Sequence, residues 1–202
     1  MTSLSDSSLA DLVARVSSTD PAPGAGPSAA WTCALAAALV EMVSAVALRK
    51  EPLDAVATER RRDRAGALRA AALELADDDV AAYTAVLAVL RRRDEPGHGG
   101  RLRAALSDAA DPLLAIIEIA AEVTRLAADA AAEARGGVRG EAMTAAILAE
   151  AVVRAGIPLV DLNLAGARED PRRTRVRDLA HQAGADLDRA MGDRRAGPLG
   201  TS

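Results

Sequence analysis

The chain contains almost no aromatic residues. Its 202 residues include no Phe, one Trp (Trp31) and one Tyr (Tyr83). Half of the residues are nevertheless hydrophobic, so alanine, leucine and valine must form the core. Alanine is the best helix former, whereas sheets favour β-branched and aromatic residues. The composition therefore predicts an all-α fold, a bundle of about five to six helices around a central, alanine-rich buried helix.

Cysteine is nearly absent as well. The single Cys33 excludes a disulfide framework and a thiolate metal site. It lies within an alanine-rich run, where a buried and inert thiol is expected. The first residues, "MTSLSDSSLADLVARV", lack the basic and apolar regions of a signal peptide. We therefore expect a cytoplasmic protein.

The chain has no excess of positive charge. Its net charge of -4 and pI near 5.3 disfavour a general nucleic-acid binder, which would be basic. Arginine clusters at 60–62, 91–93 and 172–173 have acidic neighbours and no aromatic residues for base stacking. We expect these clusters to be solvated helix faces or helix ends.

Hydrophobic spacing divides the chain into helices within one domain, residues 1–193, followed by a flexible tail, 194–202. The predicted helices cover about 4–17, 28–49, 52–93, 101–135, 139–155 and 173–192. The fourth is predicted to be interrupted before Pro112, because the residue before a proline resists the α conformation. The segment "AGIPLVDLNLAG" after the fifth is expected to be apolar and partly irregular.

The nearly uncharged run inside residues 20–43 allows three interpretations. "GAGPSA" fits a dinucleotide-binding loop, but that loop needs a preceding strand, and none is predicted. The run is long enough to span a membrane, but Glu41 falls inside it and no aromatic belt flanks it. We prefer a helix surrounded by other helices, because a helix that is apolar on all sides is usually buried.

Gly24 and Gly26 directly precede this helix. They let the backbone turn tightly and leave N–H groups free, and such a helix end attracts anions. A plain turn between two helices explains the same glycines without a ligand.

The stretch "PAPGAGPSAAWTCALAAALVEMV" resembles the signature of the cyclodeaminase/cyclohydrolase family. "SLADLVARVSS" is similar to the family's opening helix, and "LADDDVAAYTAVL" to its D-x-x-A-F/Y segment. "AAILAEAVVRAGIPLVDLNL" is similar to its closing alanine-rich helix. The resemblance covers roughly residues 8–166, and its four motifs occur in the family's order.

The resemblance implies an all-helical homodimer that acts on a tetrahydrofolate derivative as a small-molecule substrate. The expected reaction is hydrolysis of 5,10-methenyltetrahydrofolate, as in a cyclohydrolase, or deamination of 5-formiminotetrahydrofolate, as in a cyclodeaminase. No metal, nucleotide, nucleic acid or membrane is implied.

The family's acidic residue in the D-x-x-A-F/Y segment corresponds to Asp79. Asp79 stands at the edge of the apolar stripe of its helix, so it can point inward while the neighbouring acids stay solvated. A partly desolvated carboxylate stabilises a cationic one-carbon centre or transfers protons there. Tyr83 is the candidate to flank the pterin ring. Without the resemblance, Asp79 would read as one of three surface acids.

Three further residues correspond to polar positions of the family and are expected to bind substrate. Lys50 would pair with the glutamate tail of folate, although a lysine at a helix C-terminus is favourable by itself. Glu141 stands in place of an aspartate, and the helix dipole equally explains an acid in a first turn. Asn163 matches the final asparagine, and it would also suit a turn.

The sequence departs from the family pattern at several positions. Ala25 replaces a glycine, Pro27 stands where serine is usual, and Ala47 replaces a threonine; a Gly-Asn pair before the fifth helix is missing. These departures leave an alternative function open, a catalytically degenerate helical scaffold or binding protein with the same fold.

Overall fold

The computed structural model describes residues 4, 7–50, 52 and 54–192, and the predicted tail at 194–202 lies outside them. These residues form α-helices joined by short connections, without a strand among them. The helices are α1 (Leu9–Val16), α2 (Ala25–Leu48), α3 (Ala55–Leu90), α4 (His98–Asp108), α5 (Ala110–Glu133), α6 (Gly137–Asn163) and α7 (Pro171–Met191). The predicted all-α bundle is confirmed.

Helix α2 is the predicted alanine-rich helix, and it packs against α3, α5 and α6. Ala30, Ala36 and Ala37 are completely buried, as is Cys33, whose thiol pKa is raised to about 12 by burial. Small side chains let the neighbouring helices approach closely. One face of α2 remains open, and Leu35 there is 54% exposed.

Helices α2 and α3 run antiparallel along their whole contact. Arg69 of α3 donates to Glu41 in the middle of α2, at 3.0 Å. About two turns earlier on α3, the buried Arg61 donates through Nε to Ser44 of α2. Its other nitrogens bind both carboxylate oxygens of Glu133 at the end of α5. The expectation that the whole cluster 60–62 is solvated was therefore wrong for Arg61, because this guanidinium ties three helices together.

The fourth predicted helix is divided into α4 and α5 at Ala109, as the position of Pro112 indicates. The fifth behaves differently from its prediction. Helix α6 continues through Pro158 to Asn163 instead of becoming irregular. Pro158 lies on the exposed face of α6, while the buried Gly156 and Val160 hold that segment against the core.

Helices α2 and α6 are long and apolar enough to cross a membrane by length and composition alone. The core helices of a bundle meet the same criteria, and nearly half of the apolar window of each of these two helices is buried inside the structure. Together with α5 they contribute most of the buried core residues.

Candidate functional site

A cavity of about 300 Å³ opens where four parts of the bundle meet. These parts are the start of α2 with its preceding connector, the second half of α3, the α4–α5 junction and the end of α6. The antiparallel packing of α2 against α3 and of α5 against α6 brings these distant segments of sequence to one end of the molecule.

Asp79 supplies the carboxylate of this cavity. Its side chain is half-buried and makes no hydrogen bond or ion pair with any residue that the structure describes. Burial without a compensating cation disfavours the charged form and raises the pKa of Asp79 to about 6. A carboxyl group with such a pKa accepts and donates protons near neutral pH, which suits a general acid/base.

The other two acids of the triplet are placed differently. Asp77 accepts a hydrogen bond from the backbone N–H of Leu4 at 2.9 Å, so it anchors the N-terminal segment. Asp78 is exposed. Asp78 is therefore solvated as expected, whereas the expectation that Asp77 is solvated was wrong, because the N-terminal segment covers it in part.

Gly26 lies directly against the carboxylate of Asp79. A Cβ atom at Gly26 would overlap both carboxylate oxygens, far inside the 3.0 Å limit below which real Cβ atoms essentially never come. Glycine at this position therefore gives Asp79 its place in the cavity.

The N-terminus of α2 forms a second polar wall. Gly24 is its N-cap and provides no side-chain hydrogen bond to the first turn. The N–H groups of Ala25 and Gly26 belong to that turn and have no partner within the helix, whereas Pro27 has no N–H to offer. Because Gly24, Ala25 and Gly26 all line the cavity, these two donors are available there.

Asn163 provides the third polar group. It is the last residue of α6, and its Nδ2 donates to the backbone carbonyl of Ala109 at 3.0 Å. Both residues line the cavity. The hydrogen bond therefore joins the end of α6 to the junction between α4 and α5.

The remaining walls are largely apolar. Leu113, Leu159, Leu162 and Tyr83 contribute them, with Leu162 and Tyr83 partly open to solvent. A flat ring with an apolar surface fits such walls, and a few polar groups then fix its orientation. The three leucines were not predicted as site residues, although the spacing from Leu159 to Leu162 and Asn163 is that of a helix face.

The sequence model of the family described as formiminotransferase-cyclodeaminase matches residues 8–182. Among solved structures, the chain is similar to the crystal structure of formiminotetrahydrofolate cyclodeaminase from Thermotoga maritima. The TM-score is 0.78 at 22% sequence identity, over 92% of each chain. A comparison with curated proteins found no match. The chain belongs to the formiminotransferase-cyclodeaminase family.

The family match confirms the resemblance drawn from the four motifs. Its matched residues include the whole cavity, from the connector before α2 to Asn163. At 22% identity the solved structure supports the shared cyclodeaminase fold, and the roles of individual residues remain proposals.

Two predicted site residues of this cyclodeaminase-family chain lie elsewhere. Lys50 follows the far end of α2, about 36 Å from Gly26 at 1.5 Å per residue. Glu141 lies in the first turns of α6, about 33 Å from Asn163 by the same measure. Both are exposed, and within one subunit neither lines the cavity. Their assignment to substrate binding stays a prediction.

Sequence reasoning missed the support that Arg172 and Arg173 give to the cavity. The guanidinium of Arg172 donates to the backbone carbonyl and to the hydroxyl of Ser107, and it also pairs with Asp111. It therefore holds both sides of the α4–α5 junction. Arg173 donates to the carbonyl of Leu164 just beyond α6. These residues stand at the start of α7, as the expectation of a helix end predicts, but the expectation that they are solvated was wrong, because both side chains are largely buried. A carbonyl in the last turn of α4 accepts from Arg172, and carbonyls at the end of α6 accept from Arg173.

Two larger grooves, of about 530 and 470 Å³, follow α5 between α3 and α7. Most of their charged residues form ion pairs, as in the bidentate contact of Arg64 with Glu122. Such solvated pairs contribute little to stability. No group of three or more potential metal ligands occurs in the described part of the chain.

Proposed function

We propose that this protein is a folate one-carbon enzyme in which Asp79 transfers protons at the one-carbon centre. The substrate is 5,10-methenyltetrahydrofolate, hydrolysed as by a cyclohydrolase, or 5-formiminotetrahydrofolate, deaminated as by a cyclodeaminase. The observation that carries the proposal is the unpaired, half-buried carboxyl group of Asp79, with a pKa near 6, in a cavity shared with Asn163 and the start of α2. Family membership supplies the substrate class.

The hydrolysis needs a base beside a cation. The methenyl carbon lies between two nitrogens that share a positive charge, and water adds to this carbon. Ionised Asp79 stabilises that charge and accepts a proton from the attacking water. The C–N bond to the nitrogen at position 5 then breaks, this nitrogen receives the proton held by Asp79, the hydroxyl group of the adduct releases its proton to become the formyl carbonyl, and 10-formyltetrahydrofolate is the product.

The deamination needs the carboxyl group of Asp79 in its protonated form. The N–H group at position 10 adds across the C=N bond of the formimino group, so that the formimino nitrogen gains this proton and becomes an amino group, which must leave as ammonia. Protonated Asp79 donates to the leaving nitrogen, which becomes neutral ammonia, and the methenyl cation remains. A pKa near 6 keeps both protonation states populated around neutral pH.

The purified protein should accelerate the decay of 5,10-methenyltetrahydrofolate absorbance over a blank without protein. Asp79→Asn should lose at least about a hundredfold of that acceleration, since general acid/base catalysis contributes roughly 10²–10⁴-fold. Asp78→Asn is the matched control, because this neighbouring acid is exposed and does not line the cavity. A parallel assay with 5-formiminotetrahydrofolate measures the released ammonia.

The second candidate is a catalytically degenerate scaffold or binding protein of the same fold. Pro27 favours it, because proline removes one backbone donor from the helix end that lines the cavity. A folded protein that accelerates neither reaction would support this candidate and would exclude the enzyme. The proposal also includes a cytoplasmic homodimer.

A further inference from the structure

The carboxamide of Asn163 has a fixed orientation. Its Nδ2 donates to the carbonyl oxygen of Ala109 at 3.0 Å. A carbonyl only accepts hydrogen bonds, so the reversed amide would place two oxygens against each other. The Oδ1 of Asn163 is therefore the end that points away from Ala109.

This oxygen is free to bind a ligand. It accepts no hydrogen bond from any residue that the structure describes, and it is not among the atoms sealed from solvent. Because Asn163 lines the cavity, a donor group in the cavity can approach it.

Arg172 fixes the residues on both sides of Ala109. Arg172 donates to the carbonyl of Ser107 at 2.8 Å and to its hydroxyl at 2.7 Å, and it pairs with Asp111 on the other side of Ala109. Both neighbours of the α4–α5 junction are thus fixed by one side chain of α7. The acceptor of Asn163 is preorganised before a ligand arrives.

We propose that Asn163 determines substrate specificity by accepting a hydrogen bond from an N–H donor of the ligand's fused ring. This proposal rests on the proposed function, in which the ligand is a reduced folate. The cavity of about 300 Å³ is at the lower end for ligand pockets, so it holds a ring and not the whole molecule. Its leucine walls favour the ring over the charged glutamate tail.

The donors on that ring are the exocyclic amino group and the lactam N–H of the aminopyrimidinone edge. An analogue that lacks the correct donor leaves the Asn163 oxygen without a partner after water has been excluded. The wild-type protein should therefore bind the parent ligand about tenfold more tightly than one such analogue, the ratio expected of one hydrogen bond.

The test measures binding by isothermal titration calorimetry. The ligands are 5-formyltetrahydrofolate and two analogues, one without the exocyclic amino group and one with a methyl group on the lactam nitrogen. In Asn163→Leu, an apolar side chain of similar shape, the preference for the parent over the rejected analogue should fall to near one. Asn163→Ala is measured beside it in case the leucine variant does not fold.

The matched control is Arg173→Gln. Arg173 donates to the carbonyls of Asp161 and Leu164 around the same helix end, but it does not line the cavity. This variant should lower the melting temperature and weaken all three ligands equally, and it should keep the wild-type preference. A structural role for Asn163 alone would not change the preference between ligands.

The failures are distinguishable. Binding of the parent ligand with a preference that Asn163→Leu and Asn163→Ala both retain would overturn this inference and leave the proposed function standing. Equal binding of all three ligands by the wild-type protein would overturn it as well. Absence of binding of 5-formyltetrahydrofolate to the folded wild-type protein would overturn both.

Discussion

A methyl group at Gly26 would displace the carboxylate of Asp79, since a Cβ atom there overlaps both of its oxygens. We expect Gly26→Ala to fold, because the obstructing atoms belong to the end of a side chain that can rotate. Turnover should fall about as far as in Asp79→Asn. Gly99→Ala is the control, because a Cβ at this position on α4 meets nothing within 4 Å. Wild-type turnover in Gly26→Ala would mean that Asp79 acts from another position.

The raised pKa of Asp79 also predicts how stability varies with pH. Between about pH 4 and 6 the folded protein holds this proton more tightly than the unfolded chain, because burial raises the pKa from 3.8 to about 6. The stability contribution of the protonated carboxyl is therefore lost as pH rises through this window, and the full penalty remains at pH 7.

Asp79→Asn removes that penalty. Urea unfolding of the wild type and Asp79→Asn at pH 4 and pH 7 measures it. Relative to the wild type, the free energy of unfolding of the variant should rise by on the order of 2 kcal/mol between pH 4 and pH 7, after allowance for solvent around the half-buried group. Asp78→Asn should show no such gain. An equal difference at both pH values would show that Asp79 titrates normally.

Among the helices, α5 and α6 make an especially close contact at Gly156. A Cβ there would overlap two side-chain carbons of the buried Ile117. Overpacking of a core costs about 1–3 kcal/mol, and we expect Gly156→Ala to lower the free energy of unfolding by that amount.

A second glycine provides the comparison. Gly184 lies inside α7, and a Cβ there meets nothing within 4 Å. Gly184→Ala should raise the free energy of unfolding by about 0.5–1 kcal/mol, because alanine loses less backbone entropy in a helix. Urea denaturation of both variants at one pH gives the two values. A stabilised Gly156→Ala would contradict the close packing of α5 on α6.

The outcome at the two prolines shows how far helix boundaries could be predicted. Pro112 lies at the start of α5, in a segment where a break costs little, and the break at Ala109 follows the local rule. The same local rule predicts a break at Pro158. Helix α6 nevertheless continues through it, because apolar residues on both sides are buried against the core. Packing energy is not visible in a dipeptide, so this boundary could not be predicted.

The whole molecule leaves apolar side chains exposed on two neighbouring helices. Leu35 and Met42 on α2 are 54% and 39% exposed, and Ile147 on α6 is 46% exposed. Monomeric proteins rarely expose large apolar patches, so this surface supports the proposed homodimer.

Sedimentation should therefore give a dimer at micromolar concentration. The double variant Leu35→Glu/Ile147→Glu should sediment as a monomer, because two carboxylates would be desolvated in the interface of each subunit. Val56→Glu alters an equally exposed apolar side chain on α3 and should remain dimeric. A wild-type monomer at this concentration would reject the homodimer.

The sequence by itself determined the helical fold and the family. A core without phenylalanine requires helices that pack through alanine, and four ordered motifs identified the family without any long-range information. It also identified Gly24, Gly26, Asp79, Tyr83 and Asn163 as site candidates, because each stands in or beside a recognisable motif. All five line one cavity of the structure.

Only the tertiary structure decided which of the candidates meet. Residues 26, 79 and 163 line one cavity because antiparallel packing brings together helix segments that are far apart in sequence. The same packing places Lys50 and Glu141 at the opposite end of the molecule. The charge state of Asp79 was also decided there. Its pKa depends on burial without a cation nearby, and that condition is set by residues from several helices and not by its sequence neighbours.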